Sequence, residues 1–234
     1  MLYQFSFLIA TIFLLLIWLI LFLLAKSSRR EMLRLSLISG SVAPFIELIN
    51  LRDWWSPVMF TLTKIGIEDF LYGFTIAGIS VAIYPLIFKA KFKESHLSKA
   101  KQKINNKKTM MLLMIGAGLF SGISFTYNSL IGFFISSIFI TSTILFLRKD
   151  LVTISAFSGL VIMFLCIPMY LLVEQLTPGW IVNTWQLNNF SNRFILGIPL
   201  EEYVWHFLAG TNASIIYKFW KNSKTISNNN NKQY

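Results

Sequence analysis

The chain has 234 residues, of which 55% are hydrophobic, 16% aromatic and only 13% charged, a balance outside the soluble globular range that reads as a polytopic membrane protein with no soluble domain left over. The formal net charge of +11 does not mark a nucleic-acid binder, and no nucleic-acid partner is expected, because the basic residues fall in alternate connections between apolar runs.

Those runs lie near 3–25, 34–51, 65–88, 109–126, 129–147, 151–173 and 194–217. Each is about the 17–25 residues that cross ~30 Å of hydrocarbon, so the expected fold class is all-α with about seven transmembrane helices, the second and fourth the shortest. The first run has no basic residue ahead of it and continues past twenty residues, which reads as a retained helix and not a secretory signal. With the N-terminus outside, one compartment receives 18 of the 21 lysines and arginines, and the other only Arg52, Lys64 and Arg193. The positive-inside rule therefore places the N-terminus outside and the C-terminus in the cytoplasm of a multi-pass plasma-membrane protein.

The polar connection 89–108 carries eight lysines against Glu94. It reads first as a solvated cytoplasmic loop, and more sharply as a contact to anionic lipid headgroups. Residues 1–221 are expected to form one integral membrane domain, and 222–234, with its run of four asparagines, a flexible tail. Cys166 is alone inside an apolar run, which leaves no intrachain disulfide and no cysteine metal site. Neither a metal nor a cofactor is expected.

Two acidic motifs interrupt the apolar pattern, IGIEDFLYGF at 65–74 and IPLEEYVWHF at 198–207. At an offset of 133 positions Glu68 meets Glu201, Asp69 meets Glu202, Phe74 meets Phe207 and Tyr84 meets Tyr217. An ionisable side chain within a membrane helix costs ~2.5–3.5 kcal/mol on insertion scales and is by default a functional-site hypothesis. Around each pair lies a Pro-containing run (Pro44, Pro168) and a connection carrying tryptophans (Trp54 and Trp55; Trp180 and Trp185). The expected organisation is an internal parallel repeat, with copies at about 36–90 and 160–221 and both acidic helices running from outside to inside.

First-turn acids also cap helices through the dipole, and Glu31 and Glu174 need no more than that. After Glu68–Asp69 and Glu201–Glu202, however, the chain is apolar and aromatic for about another helix length. Helical spacing sets Tyr72 four residues after Glu68, Trp205 four after Glu201, and His206 four after Glu202. His206 reads equally as a proton relay and as a hydrogen-bonded interfacial histidine. Gly73, Gly78 and Gly210 read as close-packing positions between helices. The expected site is one cavity holding Glu68, Asp69, Glu201 and Glu202, with Tyr72 and Trp205 stabilising a cation through their ring faces. In such a cavity a protonated carboxyl can give a proton to a hydrophobic substrate and an ionised neighbour can take one back.

The strings IEDFLYGF and IPLEEYVWHF resemble the duplicated Pro-x-Glu-(Glu/Asp) signature of the small membrane lycopene cyclases of bacteria, archaea and fungi. The resemblance covers the two helix pairs, with Pro199 matching the motif proline and Gly66 standing where the first motif has one. It implies proton-initiated, non-redox ring closure of a linear carotenoid within the bilayer, an isomerase-type reaction with Glu68, Asp69, Glu201 and Glu202 as the catalytic acids. The asymmetry between the copies favours Glu201 and Glu202 for the chemistry. The competing readings are a proton- or cation-coupled transporter or another seven-helix membrane protein, and a related carotenoid hydratase. A flavin enzyme is disfavoured by the lack of a Gly-rich dinucleotide turn, and a prenyltransferase by the adjacency of the acids.

Overall fold

The computed structural model describes residues 3–94 and 98–226. Most of the asparagine tail and residues 95–97 within the expected basic loop lie outside the described residues. Eight α-helices follow in order: α1 Ser6–Leu24, α2 Arg29–Asn50, α3 Ile67–Ile87, α4 Lys99–Thr126, α5 Ser129–Leu147, α6 Val152–Leu176, the five-residue α7 Trp180–Thr184, and α8 Leu200–Trp220. Four short strands, β1 Lys91–Lys93, β2 Phe194–Ile195, β3 Ile198–Pro199 and β4 Lys224–Ile226, form two small antiparallel pairs, β1 with β4 and β2 with β3.

Among the described residues six helices, α1 to α6, are long and apolar enough to cross a membrane. The seventh long helix, α8, is not among them. It carries Glu201, Glu202, His206, Asn212 and Lys218, and it tolerates them because the bundle encloses it. It packs on α6, α3 and α5, and of its large hydrophobic side chains only Val204 is exposed. A helix shielded by protein can be polar where a lipid-facing one cannot.

The boundaries of α4 and α8 differ most tellingly from the sequence pattern, while α2 starts five residues early, at Arg29. α4 starts at Lys99, so half of the expected polar loop is helix. Ser98 caps it by accepting the Lys101 N–H at 3.4 Å, and the Lys-, Gln- and Ala-containing stretch that follows has good helix propensity. α8 starts at Leu200 and not near residue 194, because residues 194–199 form a β2–β3 hairpin turning at Leu196 (φ 52°) and Gly197 (φ 78°). Positive φ at both turn positions suits a two-residue hairpin.

α2 packs on α3, and α6 on α8. Both contacts are close. A Cβ at Gly73 would lie 2.6 Å from Ala43 Cβ, and one at Gly210 would lie 2.9 Å from the Ser158 carbonyl oxygen, as expected where small residues let membrane helices approach. At one end of the bundle gather the basic segments: Arg34 donates to the Tyr217 hydroxyl at 2.7 Å, and fully buried Lys218 pairs with Glu31 at 2.7 Å. Glu31 is thus an ion-pair partner as well as a first-turn acid. At the opposite end the two tryptophan-bearing connections are joined by backbone bonds, Ser56 N–H to Thr184 O at 2.8 Å and Gln186 N–H to Trp54 O at 2.9 Å. Glu174 accepts the N–H groups of Gly179 and Ile181 there, holding the start of α7.

Candidate functional site

Between α2, α3, α4, α5, α6 and α8 lies a cavity of about 670 Å³. Three carboxyls line it: Glu47 from α2, Asp69 from α3 and Glu202 from α8. Each is at most 5% exposed.

Glu202 is the most elaborately held. Its Oε1 accepts the indole N–H of Trp54 at 2.9 Å and that of Trp185 at 2.7 Å, and its Oε2 accepts the Tyr170 hydroxyl at 2.7 Å. The three donors come from the first connection, the second connection and α6, so the joined connections and the α6–α8 contact fix this carboxyl from three directions. The arrangement supplies donors to an acceptor group, the pattern of a preorganised negative charge.

Asp69 reaches back to accept the Gly66 N–H at 2.9 Å and closes the first turn of α3. Gly66, the position that departs from the motif proline, therefore supplies a backbone donor that proline would lack. Glu47 accepts from the Asn50 amide at 3.4 Å through Oε2, while its Oε1 is buried without a partner. A buried carboxyl oxygen left unsatisfied costs stability; Glu68 and Glu201 each have one as well, and what sets Glu47 apart is that it lines the cavity.

The first acid of each motif plays a different part. Glu68 Oε1 accepts the Phe60 N–H and Glu201 Oε1 the Ser191 N–H, each at 2.6 Å. Each thereby ties its helix start to the preceding connection, and neither lines the cavity. Glu201 faces a separate small outer pocket with Arg193. The expectation that all four motif acids share one cavity is corrected: adjacent residues on a helix point about 100° apart, so only the second of each pair turns inward.

Tyr72 and Trp205 both line the cavity, with ring centroids 5.7 Å apart. Trp205 also packs on Trp54 at 6.2 Å and on Phe133 at 5.5 Å. His206 meets no carboxylate. Its Nδ1 lies 2.7 Å from the Glu202 backbone oxygen and its Nε2 2.7 Å from the Tyr72 hydroxyl. Because a carbonyl only accepts, Nδ1 carries the proton of the neutral ring, and Tyr72 donates to Nε2. His206 orients Tyr72.

The residues that sequence reasoning passed over are Glu47, Tyr170 and Asn50, together with the roles of Trp54 and Trp185. Glu47 was open to the same argument as the motifs, a lone acid inside an apolar run. Tyr170 carries no such mark.

Residues 124–220 match the family model described as lycopene cyclase. That stretch of the chain is similar to the lycopene cyclases. The match spans α5 to α8 and holds Tyr170, Trp185, Glu201, Glu202, Trp205 and His206 of the site. Glu47, Trp54, Asp69 and Tyr72 precede the matched stretch in the chain and complete the cavity from α2, α3 and the connection between them. No curated protein and no solved structure matches the chain. Six apolar helices are those of a membrane protein, and the second half of this one is similar to a lycopene cyclase.

Proposed function

We propose that the chain closes a ring at the end of a linear, lycopene-type polyene by proton transfer within the Glu47–Asp69–Glu202 cavity. Glu202 supported by Trp54, Trp185 and Tyr170 is the observation that carries this reading. A carboxyl on the Asp69–Glu47 side gives its proton to the terminal double bond of the polyene, and a tertiary cation forms. A neighbouring double bond attacks that cation and closes the ring, moving the positive charge into it. Loss of a ring proton to a carboxylate forms the new double bond and restores the proton inventory, so the product is an isomer of the substrate. Glu202 acts as the fixed counter-charge to the cation, with the π-faces of Tyr72 and Trp205 assisting. Glu68 and Glu201 position the helix starts that bring Asp69 and Glu202 inward.

The matched placement of the four motif acids, the first tied to the preceding connection and the second in the cavity, supports reading the two helix pairs as copies of one unit. With α8 counted as a protein-shielded crossing there are seven, and on that count the positive-inside rule supports reading the basic end as cytoplasmic and the carboxyl end as in the outer half of the membrane.

Expression in a lycopene-accumulating bacterial host tests the reading. Pigment extracts should contain a mono- or bicyclic carotene with the wild type and only lycopene with Glu202→Gln at equal protein level. Unchanged lycopene with well-inserted wild-type protein would overturn it.

A further inference from the structure

The cavity is much longer than the acid cluster needs. Along α8 it is lined from Glu202 through Trp205, Ala209 and Ala213 to Ile216, a rise of about 21 Å over fourteen residues. Along α2 it runs from Asn50 back to Leu35, about 22 Å. All three carboxyls sit at one end. Beyond them the walls are mostly apolar and, at Ala43, Gly116, Ala117, Ala209 and Ala213, unusually small, so the space is made by missing side-chain volume on three helices, α2, α4 and α8. The same α2 rim carries Val42 and Phe45, 47% and 71% exposed. Among the described residues α2 and α4, which flank the cleft, scarcely touch one another. The cleft is therefore open sideways, toward lipid, between these two helices.

We infer that this cleft is the binding groove for the unreacted length of a single linear polyene, which enters from the bilayer between α2 and α4 with one end group foremost against Glu47, Asp69 and Glu202. The inference rests on the cyclase reading and extends it. The groove is continuous with the acid cluster, and the unpartnered Glu47 oxygen is buried at its closed end. Its walls offer apolar contact along the way and no cation to hold a charged group. At roughly two-thirds of the ~30 Å hydrocarbon thickness, it holds one end and the adjoining chain of a bilayer-spanning polyene and leaves the far end in lipid. Each binding event thus cyclises one end, and a second ring requires release, inversion and rebinding.

Full-length protein in lipid vesicles is given two substrates side by side, lycopene and a truncated polyene that keeps one end group but stops short of the level of Ala213. Filling the far half of the groove with Ala213→Phe, or with the milder Ala117→Leu, should lower the ratio of lycopene to truncated-substrate turnover by roughly tenfold, the scale expected of overpacking. Gly118→Phe, on α4 but with open space around its Cβ, should leave the ratio at its wild-type value. With the wild type, released monocyclic product should exchange with an added unlabelled pool before the second ring forms. A wild-type ratio in both cleft variants, at full or reduced turnover, overturns the groove assignment, as does direct conversion to bicyclic product without exchange. Turnover of neither substrate by the wild type is a different result and removes the cyclase reading itself.

Discussion

Tyr170 on α6 donates its hydroxyl to Oε2 of Glu202 on α8 at 2.7 Å, with both side chains buried. Removing that donor leaves a carboxyl oxygen facing an apolar wall, and a hydrogen bond to a charged group contributes about 1.5–3 kcal/mol. Tyr170→Phe should therefore lower the rate of ring closure about tenfold or more while the protein still inserts. Product per unit of membrane protein, measured over time in the lycopene host, checks this.

Glu201 and Glu202 are neighbours with different tasks, and a pair of isosteric substitutions separates them. Glu202→Gln should abolish turnover, because an amide can neither carry the counter-charge nor accept three donors without turning its own N–H groups toward them. Glu201→Gln should retain turnover and instead lower thermal stability in detergent by about 1 kcal/mol, since Glu201 lies outside the cavity and the change removes the charge that strengthens its tie to the Ser191 N–H. Similar losses of activity in both would contradict the division of labour.

Glu47 is buried with one oxygen unpartnered. Replacing such a group by an apolar one of similar size is often neutral or stabilising. The expected outcome for Glu47→Leu is an unchanged or raised unfolding temperature together with a severe loss of product, the signature of a group kept for function at the expense of stability. A fall in stability without loss of product would assign Glu47 to packing.

The α6–α8 contact depends on absent side-chain volume. A Cβ at Gly210 would lie 2.9 Å from both Ile162 Cβ and the Ser158 oxygen, and a larger residue must push the helices apart. Gly210→Leu should reduce the yield of folded protein sharply, by overpacking of about 1–3 kcal/mol or more. Gly122→Leu, where a Cβ meets nothing within 4 Å, should be tolerated. Monodispersity in detergent distinguishes the two.

Much of the architecture was legible because hydrocarbon imposes a length and a composition on every helix it surrounds. α1, α3, α5 and α6 lie close to their apolar runs for that reason. The boundaries that shifted lie outside that constraint. The start of α4 is a lysine-rich helix in water, which hydropathy cannot distinguish from a loop. The start of α8 is displaced by a hairpin whose turn residues, Leu196 and Gly197, follow an apolar Phe194–Ile195 that hydropathy joins to the helix. α8 itself shows the limit of a composition argument, since a helix hidden among others is free of the bilayer's demand for apolar side chains.

In the site, the sequence by itself determined that buried acid exists, where in the chain most of it lies, and which family signature it resembles, because a carboxyl in an apolar run is conspicuous whatever the fold. It could not determine which acid of each adjacent pair acts. Neighbours on a helix diverge by about 100°, and whether Asp69 and Glu202 or Glu68 and Glu201 face the cavity depends on how α3 and α8 are rotated against α2 and α6. Only the tertiary structure decided that rotation, through close helix contacts at Gly73 and Gly210. The same packing brought Glu47, Trp54, Tyr170 and Trp185, far apart along the chain, to the cavity and to one carboxyl at its end.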